Sequence, residues 1–297
     1  FINGLEIIAL NVRIQEIKEL CISNNIFLLE DSALALGSTI NDQLVGSFGD
    51  AALFSTDHTK PINTFSGGLL YTSNSDLHQK IKFIRDNSKC LPLSKKIAIF
   101  NRILLEGRWM HPRKFGIFQL IDAFIMIITR LGKKVTPYLD KDAGLEVCQH
   151  DDYPYPAKLP SFLAELGLIE LRRWRYVSNE RVKNLNTYVA YFERNNLSQN
   201  LPSAYFDTSR KIIPLRIAWS QAGGSAIRKK MKYFIQVPWI WFTEPIISTT
   251  EPLCNMMYNE GDCPISEKIG TNIINLSISI SHPGVKFILK KVDYERI

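Results

Sequence analysis

Apolar residues occur along this chain in short runs near the front and at helical spacing further on. Residues 26–29 form an apolar run ending in Glu30-Asp31, which reads as a buried strand delivering two carboxylates at its C-terminal end. After a polar turn over 38–43, residues 51–54 read as a second apolar strand, and Ser55 is the first hydroxyl beyond it. Ser66-Gly67-Gly68 then leads into a third strand over 69–72, where paired glycines permit a tight turn or a close backbone approach. Apolar residues at 159, 162, 166 and 169 open one long helix or two close ones reaching about 195, with Pro160 in the first turn and a charged run over 170–183. In the tail, 211–218 (KIIPLRIA) is a strand candidate and 225–234 a basic helix. This order of elements is that of an α/β protein.

Open α/β sheets place ligand sites beyond the carboxyl ends of their strands, which singles out Asp31, Ser55 and Lys60. Lys60 follows Ser55 by 5 residues and Asp31 by 29. A hydroxyl and an amine at a strand end can share a phosphorylated ligand. Taken singly, each has a plainer reading: lysines are mostly solvated surface groups, and Asp31 with Ser32 suits a helix N-cap. His58, two residues from Lys60, reads first as a packing or hydrogen-bonding histidine.

The motifs EDxAxxxG (from Glu30), GSFGDxxxFS (from Gly46 to Ser55), Lys60 and the glycine pair 67–68 together resemble the pyridoxal-phosphate-dependent sugar aminotransferases of the DegT/DnrJ/StrS family. The resemblance implies a fold of the aspartate aminotransferase type (fold type I) and a pyridoxal 5'-phosphate cofactor. It makes Lys60 the Schiff-base lysine and catalytic base, Asp31 the partner of the pyridine nitrogen, and Ser55 a phosphate ligand. A lysine amine suits that role because it condenses with an aldehyde and can afterwards move a proton. A carboxylate against the ring nitrogen keeps it protonated, so that the ring can accept electrons. A related subgroup of dehydratases has histidine in place of this lysine, so Lys60 favours transamination. The implied reaction transfers an amino group from an amino acid, typically glutamate, to a keto nucleotide-sugar, in a homodimer.

The chain departs from the family pattern at Leu34, where a glutamine is usual, and at Ser66, where an acidic residue is common. Residues 154–171 resemble NYRMSDLQAAIGLAQL, with Pro156 replacing the asparagine and Lys158 standing where arginine is usual. His58, Arg108 and Lys158 are carried as candidate substrate contacts. By the same resemblance, residues 1–25 correspond to the strand and helix just before the ED motif, and the family's first hundred or more residues are absent, so the chain reads as a fragment. The expected division is 1–88 as the C-terminal part of the large cofactor domain, 89–152 as an insertion, and 153–297 as a linking helix and small α+β domain. Residues 238–243 (PWIWFT) fall where the family has an aromatic connection near the substrate mouth, although such a cluster is more often core. Leu34 and Pro156 motivate a second reading, a non-catalytic structural or regulatory relative.

At 297 residues and 45% hydrophobic, the chain has material for a buried core and about two domains. The net charge of +7 is concentrated in 91–134, where nine basic residues face two acidic ones. That insertion also holds the apolar run 117–132, and three readings of it compete. It is an added helical pair with a solvated basic face, an interfacial segment touching an anionic membrane, or a diphosphate site built on Arg108, Arg113 and Lys114. No helix-turn-helix, RNP or zinc pattern points to nucleic acid, and no HExxH or EF-hand pattern to a metal. The five cysteines show no CxxC pair, which fits reduced thiols in the cytoplasm. No stretch has the roughly 18 apolar residues of a membrane span, and Phe1 is not followed by a signal-peptide pattern.

Overall fold

A computed structural model describes residues 2–3, 13–109, 155–231 and 257–278, with 117, 120–121, 124–125, 284–286 and 288–290. Its first sheet has four strands in the order β1-β2-β5-β6: β1 (Ile2–Asn3), β2 (Leu29–Asp31), β5 (Ala51–Ser55) and β6 (Gly68–Tyr71). The first three run parallel and β6 is antiparallel. Helix α1 (Ile14–Ser23) precedes β2 and lays Ile14 against buried Leu28 and Phe48. The strand expected at 26–29 begins only at Leu29, because Asn25 at φ 53° turns the chain out of α1 and leaves Ile26 and Phe27 exposed.

The polar turn at 38–43 is a hairpin of β3 (Thr39–Ile40) and β4 (Gln43–Leu44). Its two tip residues, Asn41 and Asp42, both have positive φ, as in a type I′ connection. Between this hairpin and β5, the loop 46–49 is gathered by one carboxylate. Glu30, 5% exposed, accepts the backbone N–H groups of Gly46 (2.9 Å), Phe48 (2.7 Å) and Gly49 (2.6 Å). Gly46 sits at φ +91°, and a Cβ there would lie 2.5 Å from the Phe54 ring.

Helix α2 (Ser75–Asn87), capped by the Asn74 side chain on Leu77 N, leads to β7 (Lys89–Cys90) and α3 (Leu93–Trp109). β7 pairs in parallel with β8 (Ala157–Lys158). Arg113, Lys114, nearly all of 117–132 and the segment 238–243 lie outside the described residues. The 34-residue α4 (Ser161–Arg194) is a single helix, about 50 Å long at 1.5 Å per residue. Its first turns add Leu163 to a cluster with Phe65, Leu91 and Ile99. Its last turns put Leu185, Tyr188 and Phe192, at i, i+3 and i+7, into a second cluster with Ile217, Trp219, Ile274 and Leu276.

The strand expected over 211–218 divides at Pro214, which has no N–H to give a ladder. β9 (Arg210–Lys211) joins the hairpin, making the order β4-β3-β9, while β10 (Arg216–Ser220) pairs antiparallel with β11 (Ile273–Ser277). Helices α5 (Gly224–Met231) and α6 (Pro264–Asn272) flank this pair. No helix of the described residues is long and apolar enough to cross a membrane, and no group of three potential metal ligands occurs among them.

Replacing Glu30 by Ala strands three N–H groups, so denaturant unfolding of Glu30→Ala is expected to show a loss on the order of 3 kcal/mol or more. Two glycines separate contact from propensity. A Cβ on Gly224 would collide with the Asn272 backbone, whereas one on Gly107, inside α3, would meet nothing within 4 Å. Thermal unfolding should therefore show Gly224→Ala destabilised and Gly107→Ala stabilised by roughly 0.5–1 kcal/mol.

Candidate functional site

Side chains alternate across a strand, so register decides which of them meet. Asp31 pairs with Leu53, and Ser55 lies two residues further along β5; Asp31 and Ser55 therefore share one face at the carboxyl ends of adjacent parallel strands. Glu30 and Phe54 occupy the opposite face, where the 46–49 loop packs. Asp31 Oδ1 accepts the Ala33 N–H (3.1 Å), and Ser55 Oγ accepts the Asp57 N–H (3.3 Å), so both side chains are oriented by the turns that leave their strands.

Lys60 is carried by the loop between β5 and β6, and two buried hydroxyls close that loop. Thr64 Oγ1 lies 2.6 Å from Thr56 Oγ1, and Thr64 N donates to Thr56 O (2.8 Å). The ends are tied by Thr56 N to Gly67 O (3.0 Å), with Gly67 at φ +128°. Within the loop, Lys60 N donates to Asp57 O (2.9 Å), and Asn63 bridges the His58 carbonyl and the Phe65 N–H. Ser66 Oγ lies 3.0 Å from Tyr155 OH, joining the loop to the chain that enters β8.

Lys60 is half-buried, and burial pulls its ammonium below the ordinary lysine value. Asp57 and Asp31 oppose that shift, and Arg216 adds to it. Asp57 in turn is raised by burial, but the hydrogen bond and charge of His58, with Lys60, outweigh this and hold it below the ordinary aspartate value. His58 Nδ1 is 3.1 Å from Asp57 Oδ1. Two buried hydroxyl oxygens beside these residues in sequence, Ser32 Oγ and Thr59 Oγ1, have no hydrogen-bond partner among the described residues.

The structure thus brings Asp31, Ser55, His58 and Lys60 into one neighbourhood. Lys158 lies in β8 next to Leu159, whose side chain contacts the Gly67 position. Arg108 is exposed in the last turn of α3, and no described hydrogen bond or ion pair joins it to the Lys60 loop. Sequence reasoning missed Asp57, although its place three residues before Lys60 in one turn could have shown it. Arg216 had no such signal, because it comes from the C-terminal strand pair.

Residues 7–96 match the model of the DegT/DnrJ/EryC1/StrS aminotransferase family. The chain is 38% identical over 77 residues to the UDP-4-amino-4,6-dideoxy-N-acetyl-beta-L-altrosamine transaminase of Helicobacter pylori, an alignment covering 26% of this chain and 20% of that protein. It is 41% identical over 64 residues to the GDP-perosamine synthase of Vibrio cholerae, covering 22% and 17% respectively. The fold is similar to the crystal structure of a DegT DnrJ EryC1 StrS aminotransferase from Brucella abortus, with TM-score 0.59 and 14% identity over 93% of this chain and 59% of that one. The chain therefore matches about a fifth of the length of these curated relatives and about three fifths of that solved structure. The carboxylate, hydroxyl and lysine motifs all lie inside the matched 7–96 segment, which is similar to the DegT/DnrJ/EryC1/StrS aminotransferase family, and the fold is that of the type I aminotransferase class.

Proposed function

We propose that this chain is part or all of a pyridoxal-phosphate-dependent aminotransferase that moves an amino group from an amino acid, glutamate foremost, to a keto nucleotide-sugar. The amino acid leaves as its 2-oxo acid and the sugar as its amine, so nitrogen and electrons balance between the two substrates. The observation that carries this reading is the half-buried Lys60 amine, depressed by burial and set among Asp31 and Asp57 beyond two parallel strand ends.

The residues present fit a phosphorylated pyridine aldehyde. Asp31 and Ser55 share one face at the strand ends, and the hydroxyls Ser32 Oγ and Thr59 Oγ1, without a partner among the described residues, offer further hydrogen bonds. When bound, such a group withdraws electrons from the carbon whose amino group is transferred. Lys60 would hold the aldehyde carbon with loss of water, then carry a proton to and from the substrate on its released amine. Asp31 would hold the ring nitrogen protonated by its charge, and Ser55 would donate a hydrogen bond to the phosphate. His58, held on Asp57, and Lys158 stand as substrate-side candidates; Arg108 is retained only as a more distant one.

The same reading takes 1–88 as the C-terminal part of a large cofactor domain, 89–152 as an insertion, and 153–297 as linking helix and small domain. It sets the protein in the cytoplasm as a homodimer, to which exposed Leu168, Ile169, Leu171 and Tyr176 on α4 lend an apolar surface. Relatives named as an altrosamine transaminase and a perosamine synthase support a sugar as acceptor. A second reading, a non-catalytic relative, is favoured by Leu34, which is 6% exposed and part of the apolar core where the family's glutamine would hydrogen-bond.

Mixing the chain with pyridoxal 5'-phosphate should give a visible band and, after borohydride reduction, a cofactor-sized mass increase on Lys60. Glutamate should bleach the band, and Lys60→Ala should abolish both signals. A band that glutamate leaves untouched would favour the non-catalytic relative, and one that survives in Lys60→Ala would sink the assignment of Lys60. The rate of adduct formation should rise with pH to a plateau and have its midpoint below the ordinary lysine value, since only the neutral amine attacks. Asp57→Asn removes a charge that holds the proton on Lys60, so a stopped-flow pH profile should show the midpoint moving further down.

A further inference from the structure

Phe65 stands near the end of the Lys60 loop with φ at 63°, in the left-handed region that a bulky side chain rarely adopts. Such a backbone persists only where its surroundings over-determine it. Asn63 Oδ1 accepts the Phe65 N–H (2.8 Å), while its Nδ2 donates to the His58 carbonyl (3.0 Å), so the constrained residue is tied back to the turn that carries Lys60. Thr64, 2% exposed, is held to Thr56 through both its N–H and its hydroxyl, and that hydroxyl also lies 2.9 Å from the Ser66 carbonyl oxygen.

The phenyl ring supplies the remaining hold. It shares a buried cluster with Leu91, which precedes α3, with Ile99 of α3 and with Leu163 of α4. Helix α4 meets the loop at a second point, where a Cβ on Gly167 would lie 3.1 Å from Thr64 Cγ2. Between Lys60 and this anchored end, Pro61 and Ile62 are also buried, so the strap that follows the lysine is packed along its length.

A glycine at 65 would meet the backbone requirement without strain. The cost of φ 63° in Phe65 is therefore offset by what its ring contributes on burial, in a socket built by elements outside the loop. Without the ring, the contacts of Asn63 and Thr64 lose their fixed end, the strap can lift, and water can reach the half-buried amine. We propose that Phe65 is a positioning residue for Lys60, its ring being the anchor by which α3 and α4 hold the lysine loop closed. This rests on the aminotransferase reading for what Lys60 does, and on the loop geometry for how it is held.

The test is trace acetylation of the full chain by acetic anhydride, followed across pH on the Lys60 peptide by mass spectrometry, which reads the titration of that amine without any cofactor. In Phe65→Gly the midpoint should rise by about one pH unit toward the ordinary lysine value, because the burial that lowers it is lost. Adduct formation with pyridoxal 5'-phosphate at neutral pH should then slow about tenfold, in proportion to the neutral amine. Phe65→Leu keeps an apolar anchor and should fall between Phe65→Gly and the wild type. Leu163→Ala empties part of the socket without touching the loop, and its midpoint should rise in the same direction; it decides the matter if near-UV circular dichroism shows Phe65→Gly misfolded. Val285→Ala, in the C-terminal cluster, loses buried methyl groups elsewhere and should leave the midpoint in place. Every variant retains Asp31, Asp57 and Arg216, the charges that bear on Lys60. Unchanged midpoints in Phe65→Gly and Leu163→Ala, or an equal rise in Val285→Ala, overturn the proposal. A wild-type chain that forms no adduct with pyridoxal 5'-phosphate while the acetylation midpoints move as expected overturns the aminotransferase reading and supports the anchor.

Discussion

Glu30 is the residue on which the arrangement of the front half depends. A carboxylate buried to this degree is tolerated only when its oxygens are met, and here three backbone N–H groups from one loop converge on it. That convergence fixes 46–49 against one face of the sheet and sets the entry into β5. Because side chains alternate, the same choice sends Asp31 to the opposite face, level with the end of β5 where Ser55 stands. The adjacent acids Glu30 and Asp31 thus do unlike work: one organises a loop from below, and the other lies on the face of Ser55 and favours the charged form of Lys60.

Helix α4 carries this arrangement to the C-terminal strands. Its start is packed in the cluster with Phe65 and Leu91, and its end in the cluster with Trp219 and Leu276, so one rigid element is anchored in both cores. From the stretch between, Arg181 reaches the carbonyls before β10, and burial draws its own charge down to about 10, which still leaves it protonated at neutral pH. A long helix anchored at both ends can hold a strand from the tail beside a loop from the front.

The electrostatics at Lys60 are a balance of opposing influences. Burial and Arg216 favour the neutral amine, whereas Asp31 and Asp57 favour the ammonium. In the proposed reaction a nucleophile must lose its proton and a base must regain it, and these opposing influences bear on both steps. His58 acts at one remove, by holding Asp57 ionised.

Much of the front half was legible because its signals are local. The apolar runs gave β5 and β6 within a residue, and the turn residues Asn41-Asp42 and Gly67-Gly68 stand where the backbone needs positive φ or close approach. The ED, GSFGD and lysine motifs likewise lie within one continuous segment, so the resemblance to one family could be read from them, and the matched 7–96 segment contains them all. What spacing could not tell was that Glu30 turns away to gather the 46–49 loop, since that depends on pairing with β5. Nor could it show that Pro214 splits one apparent strand between two sheets, or that Arg216 joins Asp57 and Asp31 around Lys60. By itself the sequence determined the residue types and their local turns; only tertiary structure decided their company, because register, helix anchoring and burial act between segments far apart in the chain.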